Sequence, residues 1–137
     1  LHDALPILQD EELDDKKETL QSQRSERRQK IIREKLDEWC AAKGYRDTSL
    51  NMITLSRSLD INRYELSRYL SSCLNTTFRL WLAEVRFEAA KKMMLDNPDF
   101  GNDIISAECG FSSRTHLYRM FKEKEGCSPT AWREKNC

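Results

Sequence analysis

The chain has 137 residues, 39% hydrophobic and 34% charged, with four glycines and three prolines, a composition that fits one compact unit plus an appendage. Its 23 basic and 23 acidic side chains cancel, so bulk charge names no partner, and a nucleic-acid role has to come from how charge is arranged. The five cysteines (Cys40, Cys73, Cys109, Cys127 and Cys137) contain no CxxC pair, which argues against a zinc or redox motif and for thiols in a reducing cytosol, and no apolar run approaches the roughly 18 residues that a membrane span needs.

The first seven residues, LHDALPI, show neither a helical nor a strand period. Read back into codons as CTA CAC GAC GCT CTT CCG ATC they resemble a sequencing-library adapter, so residues 1–7 are expected to be a non-native segment outside any fold reasoning. Residues 8–30 are almost wholly polar, with Leu13 and Leu20 the apolar positions of the stretch from Gln9. A coiled-coil seam needs apolar a and d positions over three or four heptads. The segment therefore reads as a charged helical linker from a missing upstream region. From Ile31 the spacing tightens: Ile32, Leu36 and Trp39 share one helical face, and Gly44 stands where a helix cap is wanted. A domain is expected over 31–137.

Two stretches of that domain resemble each other. At an offset of 51 residues, Ile53, Arg63, Leu66, Arg68 and Leu70 line up with Ile104, Arg114, Leu117, Arg119 and Phe121. Each copy has a short helical pattern, a tight break (Asp60-Ile61; Gly110-Phe111), a small polar cap (Asn62; Ser112 or Ser113) and a second amphipathic helix. Short helix, tight turn, longer helix is the helix-turn-helix arrangement. No window alternates as a strand does, so the expected class is all-α. The first unit is placed at about 50–75, a linker helix at 77–95, the second unit at about 102–125 and a final helix at 128–135.

With Leu117 and Phe121 turned to a core, the opposite face of the last recognition helix carries Arg114, Thr115, Tyr118 and Arg119 to solvent. The first turn adds unpaired backbone N–H groups and the positive end of a helix dipole, both suited to phosphate. A helix fits the major groove, where arginine bonds guanine bidentately. Cations and aromatics thus belong to two faces, one for DNA and one for packing.

The stretch GFSSRTHLYRMFKEKEGCSPTAWR resembles the C-terminal signature of the AraC/XylS family of bacterial transcription regulators, with Gly110, Phe111, Leu117, Arg119, Phe121, Lys122, Gly126, Ser128, Pro129, Trp132 and Arg133 at the family's positions. Phe78, Trp81, Leu82, Arg86, Phe87, Ala90 and Met94 resemble its linker helix, and the likeness runs from about Thr48 to the end. It departs at Asn102, where the family has a buried aliphatic, at Asn75, where glycine is common, and at Leu70 and Leu117, where phenylalanine often packs. Asparagine tolerates left-handed backbone, which makes Asn75 a mild change. Asn102 bears on the start of the second short helix, with Phe100 as the side chain to cover the gap.

The resemblance implies a homeodomain-like, AraC-type DNA-binding domain whose two recognition helices enter successive major grooves. It places the base-facing positions on Tyr64, Ser67 and Arg68 in the first unit and on Thr115, His116 and Arg119 in the second. Arg63, Ser113 and Arg114 complete the DNA-binding set. Against these stand plainer readings: surface ion pairs for Arg68 and Arg119, an ordinary surface histidine at His116, and a core-edge cover at Tyr64. Trp81 and Trp132 read as core, and Arg86 as a structural residue that bonds a carboxylate or helix-end carbonyls. The implied partners are double-stranded DNA and, for an activator, RNA polymerase, with an effector or sensor region missing from the chain. No cofactor is implied. The expected location is the cytoplasm at the nucleoid, with membrane attachment of the full-length protein open through the missing N-terminal region.

Two other classes compete. Of two histidines, one lies in the adapter-like segment, and there is no Gly-rich phosphate loop, metal-ligand cluster or nucleophile motif, so the chain is not read as an enzyme. A helical protein-interaction module accounts for amphipathic helices and zero net charge but not for the duplicated motif.

Overall fold

A computed structural model describes residues 4–137, with side chains from Glu11 onward. The first three residues of LHDALPI lie outside the described residues, and the backbone of the other four already belongs to the first helix, α1 (Ala4–Ala41). The chain divides into two units, Leu1–Lys35 and Leu36–Cys137. In the first, every side chain from Glu11 to Arg27 is exposed, Leu13 and Leu20 by 53% and 52%.

The second unit takes in the end of α1, a 3-10 turn (Gly44–Arg46), and then α2 (Met52–Leu59), α3 (Arg63–Cys73), α4 (Phe78–Asp96), α5 (Asn102–Glu108), α6 (Arg114–Glu125) and α7 (Pro129–Asn136). The class is all-α, with no strand among the described residues. Most N-termini are closed by short polar side chains. Asn51 and Thr54 form a capping box at α2, and Asn62, Thr77, Ser113 and Ser128 accept first-turn N–H groups of α3, α4, α6 and α7. Such caps contribute about 1 kcal/mol each.

The end of α1 differs from expectation. Lys43, not Gly44, takes the left-handed conformation (φ 61°). Gly44 is needed for space, because a Cβ there would overlap the Trp39 indole. Trp39 packs against Trp81 at 5.6 Å and edge-on to Tyr45 at 6.5 Å, which fixes the end of α1 to the 3-10 turn and α4.

The helix pairs α2/α3 and α5/α6 are built alike, with one correction to the repeat. The left-handed residues Asp60 (φ 53°) and Gly110 (φ 83°) are 50 apart. So are the turn bonds, Ile61 N–H to the Ser56 carbonyl and Phe111 N–H to the Ser106 carbonyl, each 3.0 Å. The caps Asn62 and Ser113, and the helices behind them, are 51 apart. The second turn thus holds one extra residue, and the partner of Ile53 in α5 is Asp103, not Ile104. Both isoleucines are in fact exposed.

The main apolar cluster joins the linker helix to the second pair: Phe87, Ala90 and Met94 of α4 against Ile105, Cys109, Phe111, Leu117, Met120 and Phe121. Phe87 meets Phe121 edge-on at 4.8 Å, and Phe121 meets Trp132 at 5.6 Å. Burying a phenylalanine stabilises by about 1.5–3 kcal/mol, so this contact alone fixes α6 firmly on α4. Burial pushes the Cys109 thiol up to about 11, which makes it a packing residue and not a nucleophile. Lys124 with Glu84 and Lys91 with Glu125 (3.0 Å) tie the outer faces of α4 and α6.

Asn102 begins α5 in a polar junction. Its amide donates to Thr130 Oγ1 (3.2 Å) and accepts from Arg133 (3.0 Å), which also donates to the Pro98 carbonyl (2.9 Å). Phe100 packs against the apolar cluster. Hydrogen bonds to α7 thus replace the expected aliphatic contact. Asn75 is left-handed (φ 51°), as its side chain allows.

Candidate nucleic-acid interface

On α3 and α6 the apolar positions four apart point inward: Leu66 and Leu70, and Leu117 and Phe121, are at most 1% exposed. That spacing turns the rest of each helix to solvent. Arg63, Tyr64, Ser67 and Arg68 on α3 are exposed, as are Ser113, Arg114, Thr115, Tyr118 and Arg119 at α6. Tyr64 is 64% exposed and so does not cover the core edge.

The arginines fall into two kinds. The side chains of Arg68 and Arg119 have no ion-pair or hydrogen-bond partner among the described residues, so the surface-ion-pair alternative finds no partner there. Arg63 and Arg114, each the first residue of its helix, are held. The Arg63 guanidinium lies 4.9 Å from the Tyr64 ring centroid and donates to Tyr64 Oη at 2.9 Å. Arg114 is ion-paired with Asp103, Nε lying 2.7 Å from Oδ1.

His116 is not an ordinary surface histidine. It is half-buried, edge-on to Phe111 at 5.2 Å, with Nδ1 3.4 Å from Ser112 Oγ. Burial first, then the cations of Arg119 and Arg86, hold its imidazole below the ordinary histidine range. Ser113 serves as the cap of α6, its Oγ accepting from His116 N–H at 3.2 Å.

His116 also lines a cleft of about 560 Å³ with Arg79 and Leu80 from the first turn of α4, Arg86, Phe111 and Met120. The lining holds two arginines and a histidine and no acidic residue. Arg86 spends its donors on carbonyls of Tyr45 (2.9 Å) and Asp47 (2.7 Å) and so serves structure, through carbonyls and not a carboxylate. Arg79 and Asp103 went unnoticed in the sequence. The signal for Arg79 is its place two residues after the Thr77 cap; for Asp103 there is none, since it meets Arg114 only once the turn is formed.

Paired helix-turn-helix units on a shared linker helix, each showing a basic outer face on its second helix, define a double helix-turn-helix protein. A helix-turn-helix domain family matches residues 55–135. Among solved structures the chain is similar to the C-terminal domain of AraT, a response regulator from Geobacillus stearothermophilus (22% identity, 77% of this chain and 84% of that one, TM-score 0.65). It is similar to the DNA-binding domain of AdpA, a global transcriptional factor solved with a target DNA (23%, 76% and 90%, TM-score 0.64). A transcriptional regulator with an AraC-type DNA-binding domain from Chromobacterium violaceum aligns at 20% identity over 80% and 94%, with a TM-score of 0.66. No curated protein matches. The chain belongs to the AraC-type helix-turn-helix family, whose fold is that of DNA-binding transcription regulators and not of enzymes.

Proposed function

We propose that this domain binds double-stranded DNA sequence-specifically as the output of a bacterial transcription regulator, with α3 and α6 in successive major-groove segments on one side of the duplex. The observation that carries the reading is the equivalence of Arg68 and Arg119: 51 residues apart, in the same place on two helices of the same build, both exposed and neither side chain with an ion-pair or hydrogen-bond partner among the described residues. Arginine is the commonest base-specific contact in the major groove. Tyr64 and Ser67 flank Arg68 on the outer face of α3, as Thr115 and His116 precede Arg119 on α6. Arg63, Arg114 and Ser113 sit at the helix starts, next to N–H groups that favour phosphate. The structure of AdpA with its target DNA supports the reading.

Two recognition helices on one chain fill groove segments about one turn, or roughly 34 Å, apart. Because α3 and α6 present different side chains, the site is asymmetric and a single chain suffices. Neutralising several phosphates makes affinity fall steeply with salt although the net charge is zero. The test is selection of sites from random duplexes followed by footprinting. One contiguous asymmetric site of about two turns, bound one to one, is expected. An inverted repeat bound only by dimers overturns the tandem arrangement, and salt-insensitive or absent duplex binding favours a protein-interaction module.

A further inference from the structure

Arg63 and Arg114 occupy the same position, the first residue of α3 and of α6, yet their side chains are restrained in opposite ways. Arg63 folds back over the next residue of its own helix, and one terminal amino group is used on Tyr64 Oη. Arg114 is held from the neighbouring helix by an ion pair with Asp103 in which Nε is the nearest nitrogen, 2.7 Å from Oδ1. Among the described residues no hydrogen bond is made by its two terminal amino groups. A guanidinium gripped at Nε is fixed in direction while its outer edge, the edge that matches a guanine or a phosphate, stays available.

The tether is particular to the second unit. With 50 residues separating α2 from α5, the place of Asp103 is taken in the first unit by Ile53, whose side chain has no acceptor. The pair is also poorly suited to stabilising the fold, since the side chains of Arg114 and Asp103 are 69% and 74% exposed, and an ion pair so solvated contributes little to stability. A carboxylate beside a DNA-facing helix repels phosphate as well, so it weakens non-specific binding. A residue that neither stabilises the fold nor attracts the backbone is explained by the direction it imposes on Arg114.

We propose that Asp103 is a positioning residue for sequence discrimination by the second recognition helix: it holds Arg114 by Nε so that both terminal amino groups face the DNA. This rests on the DNA-binding reading above. It makes the second unit more discriminating than the first at the base pair under the start of its helix, where Arg63 presents a guanidinium stacked on an aromatic ring.

The experiment compares the affinity for the selected site with that for the same site carrying each base-pair change in the half under α6. Phosphate content is equal in the two duplexes, so bulk charge cancels in the ratio. Asp103→Ala is expected to lower the ratio roughly threefold, the order of an exposed ion-pair coupling, at one base pair. Asp103→Asn keeps an acceptor for Nε and should retain the ratio while still raising non-specific affinity. In an Arg114→Ala background the Asp103→Ala change should leave the ratio untouched. Equal ratios for wild type and Asp103→Ala, or the same loss without Arg114, overturn the proposal. A readout free of DNA separates it from the broader reading: the Arg114 Nε–H resonance of the unbound protein should exchange more slowly with water in wild type and Asp103→Asn than in Asp103→Ala. If wild type binds no duplex, the DNA-binding reading fails by itself; an unchanged Arg114 resonance in Asp103→Ala sinks the tether.

Discussion

Arg86 Nε donates to the Tyr45 carbonyl at 2.9 Å, across 41 residues of sequence, and the same guanidinium reaches the Asp47 carbonyl at 2.7 Å. The linker helix α4 is thereby bonded to the 3-10 turn that follows α1. The Tyr45 carbonyl has no other donor among the described residues, and the Asp47 carbonyl otherwise accepts only the longer bond from Leu50 N–H at 3.4 Å, so removing the guanidinium leaves the first to water and the second with its weaker partner. Arg86→Ala is expected to cost about 2–4 kcal/mol, the range for two charge-assisted bonds lost from a half-buried site. Arg86→Lys, with a single point of donation, should recover less than half. Urea denaturation checks both, and a loss under about 0.5 kcal/mol for the alanine variant would deny the contact its structural role.

Gly110 and Gly126 are both left-handed, at φ 83° and 74°, but differ in surroundings. A Cβ at Gly126 meets nothing, whereas one at Gly110 would overlap the Tyr45 carbonyl oxygen and press on Arg86. Gly126→Ala should cost about 1–2 kcal/mol, the intrinsic penalty of a left-handed L-residue. Gly110→Ala should cost about 2 kcal/mol more, because an overlap of backbone atoms is not relieved by a rotamer change. Thermal melts of the two variants side by side give the comparison. Equal losses would show that backbone strain alone matters at the turn.

His116 makes stability depend on pH. Its folded imidazole titrates below 6.5, the value for the unfolded chain. As pH falls, the unfolded state takes up the proton first. The stability that depends on neutral His116 is therefore complete above pH 6.5 and is lost progressively below it, towards the lower folded value. The slope cannot exceed about 1.4 kcal/mol per pH unit for one group. Chemical denaturation at pH 7.5 and 5.5, for wild type and His116→Gln, isolates the effect as the difference between the two proteins. A wild type that loses no more than the variant would remove His116 from the account.

Arg119 is expected to read a base and not a phosphate, since it lies on the exposed face of α6 about a turn and a half from the start. Arg119→Ala should cost about 1–3 kcal/mol on the selected site and relax preference at one base pair. Competition binding against single-base variants distinguishes this from a uniform loss, which would assign the residue to the backbone.

Residues before Gln29 are expected to be dispensable for folding, since all side chains from Glu11 to Arg27 are exposed. A chain beginning at Gln29 should keep the cooperative melt and thermal midpoint of the full sequence within a few degrees, with helical signal lost only in proportion to the residues removed. A broad, non-cooperative transition would show that the charged helix supports the domain.

What the sequence determined by itself is local. Leu66 with Leu70 and Leu117 with Phe121 announce their helices because an i, i+4 pair lies on one face whatever the rest of the chain does. Asn62, Ser113 and the Gly110 turn are legible because a cap or a left-handed residue acts within three or four positions of itself. From these the all-α class and the paired units follow, and with them which faces of α3 and α6 meet solvent. The tertiary structure decided everything that depends on separation in sequence. Gly44 was readable as a helix end, but only the position of the Trp39 indole explains why that residue lacks a side chain. Both sequence readings of His116, a base-facing residue or an ordinary surface histidine, put it in solvent, and only the packing of Phe111 beside it shows that it is half-buried. The extra residue in the second turn, which replaces the Ile53–Ile104 match by Ile53 and Asp103, is invisible to a fixed offset. Spacing rules describe one helix at a time, whereas the hydrogen bonds of Arg86 to Tyr45 and Asn102 to Thr130 and the ion pair of Asp103 with Arg114 exist only when separate elements are brought together by the burial of Phe87, Phe121 and their neighbours.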